Sequence, residues 1–270
     1  DDYFDLVLDS VINGELDSIA TNNVYALGIK NDDPPPQMSF VGDKVLTVNE
    51  DAGTIKLTVK LNAKSILAST AQIVVQSSVG VLKYDIPKTI SVGAGETSIS
   101  FSLVIHDDFI DAPDETLKLI LRTANSATLT IGADSVKTIV VKDNDPPVKL
   151  AANMQTEFTV NEPSSGKTTL KIPIVLAGVS GWDIPWALKV LPGSGDNHAV
   201  LDEDYRIVKI NGKINAGQLT DTAIVEVLSD IWDEGDEQFT LTFDTQAGKT
   251  NYLDFSGKNS FVITIPRNGG

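Results

Sequence analysis

The 270-residue sequence contains no cysteine and only two histidines, His106 and His198. The lack of cysteine excludes disulfide bonds, thiolate nucleophiles and zinc–thiolate sites. Two histidines leave little material for a histidine-ligated metal or a Ser-His-Asp triad. Neither a Gly-x-Ser-x-Gly elbow nor a Gly-x-x-x-x-Gly-Lys phosphate loop occurs, so we expect that the chain is not an enzyme.

Basic residues are also scarce, with 21 Lys and Arg against 37 Asp and Glu, which gives a net charge of −16. Nucleic-acid phosphates and anionic lipid surfaces repel so acidic a chain, and we expect neither as a direct partner. No hydrophobic run approaches the roughly 18 residues of a membrane span, so we expect no membrane insertion. Cations and basic protein surfaces stay possible partners.

Helical periodicity is missing, and an alternation of apolar and polar residues takes its place. Residues 55–61, 98–105 and 223–228 alternate with period two, which is typical of strands with one buried face. Asn13-Gly14 and Asn211-Gly212 are typical of two-residue hairpin turns. Short strands separated by turns predict an all-β protein built from antiparallel β-sandwiches.

Two unrelated landmarks recur at one spacing. Pro34 of the first Asp-Pro-Pro segment and Pro146 of the second are 112 positions apart, and so are Glu50 and Glu162 of the two Val-Asn-Glu segments. A shared spacing predicts tandem domains. We expect complete units over 37–147 and 148–270, and over 1–36 a closing hairpin that either upstream residues or another surface completes.

Carboxylates crowd two loops that precede alternating strands, at residues 106–115 and 229–237. Crowded acidic oxygens repel one another unless a hard cation or solvent separates them. Oxygen-only clusters are the ligands that calcium selects. The loops therefore predict either a calcium site or solvated acidic segments.

The motifs together resemble those of Calx-beta domains, the modules of sodium–calcium exchangers, integrin β4 and many bacterial surface proteins. The resemblance lies in Val48–Gly53, Gly95–Thr97, Asp114-Glu115 and Val141–Asp145, and in their counterparts Val160–Glu162, Asp236–Phe239 and Phe261–Ile265. It covers nearly the whole chain. It implies tandem immunoglobulin-like antiparallel β-sandwiches of seven strands each, in a protein of bacterial surface origin.

The resemblance also implies calcium ligands from an early glutamate, from the acidic loop and from aspartates that end the last strand. In the middle unit these are Glu50, Asp107, Asp108, Asp111, Glu115, Asp143 and Asp145. In the last unit the candidates are Glu162, Asp204, Asp230, Asp233 and Glu237, but Pro266-Arg267-Asn268 stand where the closing aspartates belong. We therefore expect Ca²⁺ in the middle unit, at its boundary with the next, and treat the last unit as a departure from the pattern.

These inferences predict a non-catalytic segment, extracellular or on the cell surface, that calcium stiffens and that serves as a spacer or as a module for cell adhesion or protein interaction. The alternative is a glycan-binding module that uses Trp182 and Trp186, which share one face of a strand. Burial of both rings in the core is the competing interpretation. Glycoside hydrolysis by a carboxylate pair is less favoured, because the carboxylates recur in both units.

Overall fold

The computed structural model describes residues 2–8, 12, 14, 24–78, 82–123, 127–191, 197–232, 235–245, 252–257 and 259–267. In these residues the regular structure is β-strand, apart from a short 3-10 turn at Glu50–Ala52. The predicted all-β fold is confirmed, and the three alternating segments lie in strands Thr54–Leu61, Ser98–His106 and Thr220–Leu228. No helix of this part of the chain is long and apolar enough to cross a membrane.

The N-terminal piece is a two-stranded antiparallel sheet of β1 (Asp2–Val7) and β2 (Val24–Ile29). Its pairing runs from Asp2 opposite Ile29 to Val7 opposite Val24. Every residue of both strands is exposed. Asn13 lies outside the described residues, so the turn predicted there stays a prediction, as do the domain boundaries.

The middle unit (residues 37–147) is a sandwich of two five-stranded sheets, in the orders β4-β12-β10-β6-β8 and β11-β3-β5-β9-β7. Its strands are β3 (Gln37–Phe40), β4 (Val45–Asn49), β5 (Thr54–Leu61), β6 (Ser69–Ser77), β7 (Lys83–Asp85), β8 (Thr89–Val92), β9 (Ser98–His106), β10 (Glu115–Arg122), β11 (Thr130–Ile131) and β12 (Val136–Lys142). Leu57 and Leu103 of one sheet and Leu117 and Ile139 of the other belong to one buried core.

The strands of the middle unit exceed the seven that the resemblance implies. The segment that opens the unit crosses between the sheets, so it is divided into β3 and β4. Consequently β4 runs parallel to β12, and β3 runs parallel to β11, within an otherwise antiparallel sandwich. The parallel pair β4–β12 matters most, because it brings the ends of two distant segments together.

The last unit (residues 148–270) has sheets in the orders β14-β22-β20-β16-β18, β15-β19-β17 and β13-β21. Its strands are β13 (Val148–Lys149), β14 (Glu157–Thr159), β15 (Lys167–Val175), β16 (Ile184–Leu191), β17 (Tyr205–Lys209), β18 (Asn211–Ile214), β19 (Thr220–Leu228), β20 (Glu237–Phe243), β21 (Leu253–Asp254) and β22 (Ser260–Ile265). A second buried core, which includes Ile172, Val225 and Phe261, lies in this unit.

The hairpin turn predicted at Asn211-Gly212 is wrong. Both residues lie inside β18, where Gly212 pairs with Trp186. A Cβ at Gly212 would lie 2.7 Å from the Trp186 ring and 2.3 Å from the Asp221 carboxylate. The glycine is needed for this close approach and not for a turn.

Candidate metal centre

Parallel pairing of β4 with β12 builds the candidate centre. Asn49, the last residue of β4, lies opposite Lys142, the last residue of β12. Glu50 and Asp143 follow these two residues directly, so the pairing places their side chains at one end of the sheet. Carboxylate oxygens of Glu50, Asp143 and Asp145 lie within 4.8 Å of one another.

The acidic loop between β9 and β10 closes over this cluster. Asp108 Oδ1 accepts a hydrogen bond from the Ile110 N–H at 2.8 Å, which folds the loop back on itself. The Ala112 N–H donates to Asp143 Oδ1 at 3.1 Å and joins the loop to the end of β12. Asp108, Glu50 and Asp143 line one small cleft. We call Glu50, Asp107, Asp108, Asp111, Asp143 and Asp145 together the carboxylate corner.

Burial and mutual repulsion oppose the ionisation of the carboxyl groups in the corner. Burial raises the pKa of Glu50 from 4.5 to about 7, and the charges of Asp108, Asp143, Asp145 and Asp107 add to the rise. Burial likewise raises the pKa of Asp143 to about 6, although the N–H groups of Ala112 and Asp145 oppose the rise. A cation in the cleft would offset both the repulsion and the loss of solvent.

Two oxygens of the corner are buried without a hydrogen-bond partner among the described residues, Asp111 Oδ2 and Asp145 Oδ2. Burial raises the pKa of Asp111 and also that of Asp145. A buried polar atom left unpaired costs about 1–3 kcal/mol, and more when it is charged. The donors are all carboxylate oxygens from three segments of the chain, and carboxylate oxygens are among the ligands that calcium takes. The residues therefore fit a calcium ion.

Glu115, also predicted as a ligand, makes different contacts. Its side chain is buried, Oε1 accepts a hydrogen bond from the Leu82 N–H at 2.9 Å, and Oε2 accepts one from the Ser77 hydroxyl at 3.2 Å. Glu115 lines the same cleft as Glu50, but protein donors already reach both of its oxygens. Its contacts join the start of β10 to the end of β6.

Sequence reasoning missed the residue that holds Asp143 in place, Asp114. Asp114 Oδ1 accepts a hydrogen bond from the Asp143 N–H at 3.2 Å, and Oδ2 accepts one from Lys142 Nζ. The hydrogen bond and charge of Lys142 lower the pKa of Asp114, so it is ionised more readily than an ordinary aspartate. The sequence did contain a signal for the Lys142 contact. Lys142 alternates with the buried Val141, which places the Lys142 ammonium on the outer face of the sheet.

The carboxylate corner touches the last unit through what we call the joint: Asp111 and Ala112 against Ser180, Gly181 and Trp182. The Asp111 carbonyl accepts hydrogen bonds from the Gly181 N–H at 2.9 Å and from the Ser180 hydroxyl at 3.1 Å. A Cβ at Gly181 would lie 2.6 Å from the Ala112 Cβ, so the two loops are in close contact.

Trp182 and Trp186 do not form an exposed platform. Trp186 is 3% exposed, and its indole N–H donates to Asp221 Oδ2 at 3.0 Å. Trp182 is half-buried and stacks on Tyr252 with 4.1 Å between ring centroids. The Trp182 backbone N–H donates to the Ser180 hydroxyl at 3.1 Å. The Trp182 indole N–H has no hydrogen-bond partner among the described residues, yet it lies near enough to Asp111 to oppose the rise in the pKa of that carboxyl.

The candidates of the last unit form a second, smaller group. Glu162 Oε1 accepts a hydrogen bond from the Asp230 N–H at 2.7 Å, and the buried Asp204 carboxylate accepts one from the Val200 N–H. Glu162, Asp204 and Glu237 line one cleft, which Arg267 also lines. Asp233 lies outside the described residues.

The chain is thus an all-β protein with an oxygen-only cluster where two sandwiches meet. No family model matches it. It is similar to the CBD12 segment of CALX1.2, with 14% identity and a TM-score of 0.37, over 85% of this chain and 99% of that one. The apo form of the Calx CBD1 domain has 18% identity and a TM-score of 0.36, over 41% and 98%. Zebrafish RET cadherin-like domains 1 to 4 have 10% identity and a TM-score of 0.32, over 92% and 55%. At these values the likenesses carry no argument about what this chain binds.

Proposed function

We propose that the middle unit is a calcium-binding Calx-beta-like module, with Glu50, Asp108, Asp111, Asp143 and Asp145 as the ligands. Asp107, which is exposed, adds negative charge that acts on Glu50. Two observations together carry the proposal. Carboxylate oxygens of Glu50, Asp143 and Asp145 lie within 4.8 Å of one another. Beside them, Asp111 Oδ2 and Asp145 Oδ2 are buried without a hydrogen-bond partner among the described residues. A divalent cation would supply both oxygens with a partner at once.

Calcium suits this corner better than magnesium does. Calcium takes six to eight oxygens at about 2.3–2.6 Å in a flexible arrangement, whereas magnesium demands a near-ideal octahedron and retains water. Five carboxylates with two oxygens each provide a large and adaptable donor set. The pKa of about 7 on Glu50 means that a proton occupies part of this site near neutral pH, and calcium binding would displace that proton.

Bound calcium would stiffen the joint. The charge of the Asp111 carboxylate acts on Asp143 in the corner, while the Asp111 carbonyl accepts the hydrogen bonds from Gly181 and Ser180. An ion that fixes the Asp111 side chain would also fix the orientation of that carbonyl. The movement of one unit relative to the other would then be restricted by calcium.

This arrangement supports a structural role. We propose that the chain is a non-catalytic segment of an extracellular or cell-surface protein, where it acts as a calcium-stiffened spacer or as a module for adhesion or protein interaction. Affinities near 10⁻³–10⁻⁴ M, roughly those of extracellular calcium modules, would add about 0.4–1.4 kcal/mol at millimolar calcium. So small a contribution suits the stiffening of a joint and not the rescue of a fold. The burial of Trp186 leaves the glycan-binding alternative without its platform.

Calcium titration by calorimetry tests the proposal on the whole chain. The variant Asp143→Asn/Asp145→Asn removes two ligand charges, and Glu96→Gln/Asp134→Asn removes two charges at exposed positions outside the corner. We expect saturable binding and a raised Tm for the natural chain and the control variant, and neither for the ligand variant. Equal heats from all three proteins would contradict the assignment of the site.

A further inference from the structure

The strand register superposes the last unit on the middle unit and shows which residue takes the place of Asp143. Glu115 pairs with Val141 at the closing pair of the middle unit, and Glu237 pairs with Ile265 at that of the last unit. Arg267 is two residues beyond Ile265, as Asp143 is two residues beyond Val141. A permanently charged cation therefore stands where the middle unit has a carboxylate.

The hydrogen bonds around the two positions correspond as well. The Arg267 N–H donates to Asp236 Oδ1 at 2.9 Å, as the Asp143 N–H donates to Asp114 Oδ1 at 3.2 Å. The backbone at Arg267 is thus held by the same contact. Its position is therefore a property of the fold, and only the charge of the side chain has changed.

The rest of the last-unit corner keeps the arrangement of the middle unit. The Trp232 N–H donates to Asp230 Oδ1 at 2.7 Å, which repeats the turn at Asp108. Strand β14 runs parallel to β22, and Val160 donates to the Thr264 carbonyl at 2.9 Å. Glu162 follows two residues later, at the position that Glu50 has beside β12.

Arg267 lines the same cleft as Glu162, Asp204 and Glu237. A guanidinium keeps its charge at every physiological pH and presents five N–H donors that suit carboxylate oxygens. Arg267, which is exposed, thus provides a cation of the chain itself beside these carboxylates, where its charge would oppose their repulsion. In the middle unit the ammonium of Lys142 is on the outer face and pairs with Asp114.

We propose that Arg267 is the built-in cation of the last unit: it takes the place that calcium takes in the middle unit, so the last-unit corner binds no calcium. The comparison with the middle unit rests on the function proposed above, whereas the exclusion of calcium from the last unit does not. Calcium would then control the joint alone, while the far end of the last unit keeps the same structure at every calcium concentration.

The test rebuilds the missing carboxylates. The middle unit has Asp143-Asn144-Asp145, and the last unit has Arg267-Asn268-Gly269 at the corresponding place in the sequence. In the Asp143→Asn/Asp145→Asn background, calorimetry with calcium chloride should show no binding. Adding Arg267→Asp/Gly269→Asp should restore saturable binding that Glu162→Gln then abolishes, whereas adding Arg267→Lys should restore none.

Two calorimetric outcomes would overturn the proposal. One is calcium binding in the Asp143→Asn/Asp145→Asn background that Glu162→Gln removes, and the other is no gain of binding when the aspartates are rebuilt. Thermal melting provides a second readout that needs no new site. Arg267→Ala should lower the Tm of the last unit, most at low ionic strength, whereas Arg267→Lys should preserve the Tm. Equal Tm values for Arg267→Ala and the natural chain would also overturn the proposal. Failure of the natural chain to bind calcium would contradict only the middle-unit site.

Discussion

Substitution of Glu50 by Gln should have opposite effects on stability with and without calcium. In the folded chain the pKa of Glu50 is raised from 4.5 to about 7, so between these pH values the folded state retains a proton that the unfolded state releases. The free energy of unfolding therefore falls as pH rises through this interval, and the full loss is reached above pH 7. Glutamine has no charge, so the variant avoids this loss when calcium is absent.

The magnitude follows from the shift. A rise from 4.5 to about 7 corresponds to about 3 kcal/mol above pH 7. Neighbouring aspartates titrate with Glu50 and share this repulsion, so we expect Glu50→Gln to recover about 1–2 kcal/mol at pH 8 in a chelator. For a unit of about a hundred residues this is a rise in Tm of roughly 4–10 °C. In millimolar calcium the order should reverse, because the variant loses a ligand.

The assay separates the two units. All three tryptophans, Trp182, Trp186 and Trp232, belong to the last unit, so tryptophan emission follows that unit while circular dichroism follows both. Trp182 lies at the joint, so its emission also responds when the middle unit unfolds. The variant should shift that transition and leave the transition reported by the buried Trp186 unchanged. A matched control, Glu96→Gln, should melt like the natural chain with and without calcium. A Glu50→Gln variant that is destabilised equally in chelator and in calcium would refute the electrostatic reasoning.

Three further perturbations address the joint, the support of the corner and the core. Gly181→Val should push Ala112 away, because even a Cβ would lie 2.6 Å from the Ala112 Cβ; small-angle scattering should show a broader range of shapes, and an unchanged profile would contradict the contact. Asp114→Asn should weaken calcium binding by about 10–100-fold, as expected for a residue that positions a ligand, here Asp143; unchanged affinity would contradict that role. Glu115→Gln should lower the free energy of unfolding by about 1–3 kcal/mol with and without calcium alike, and a loss confined to calcium would instead identify Glu115 as a ligand.

The strands were predictable because their signal is local. Period-two alternation over residues 98–105 indicates one buried face whatever the rest of the chain does, and the strand found there is Ser98–His106. The seven-strand count was not predictable in the same way. Where a chain crosses between sheets, as at Val41–Lys44, depends on which partner accepts each end of the segment.

The corner was only partly predictable. Glu50 and Asp143 were grouped by the resemblance, but their proximity depends on the parallel pairing of β4 with β12, which links residues far apart in sequence. The orientation of Glu115 was available from the sequence: it alternates in phase with the buried Leu117 and Leu119, so its side chain belongs to the core face. The contact of Asp111 with Ser180 and Gly181 involves two units, and no pattern within either one predicts it.

A crystal structure of the natural chain grown in millimolar calcium tests the central claim most directly. The proposed site predicts an ion within about 2.3–2.6 Å of carboxylate oxygens from Glu50, Asp143 and Asp145. It also predicts that Asp111 Oδ2 and Asp145 Oδ2, which lack a hydrogen-bond partner among the described residues, coordinate that ion. A cleft that contains only water under these conditions, with those two oxygens hydrogen-bonded to solvent, would contradict the account.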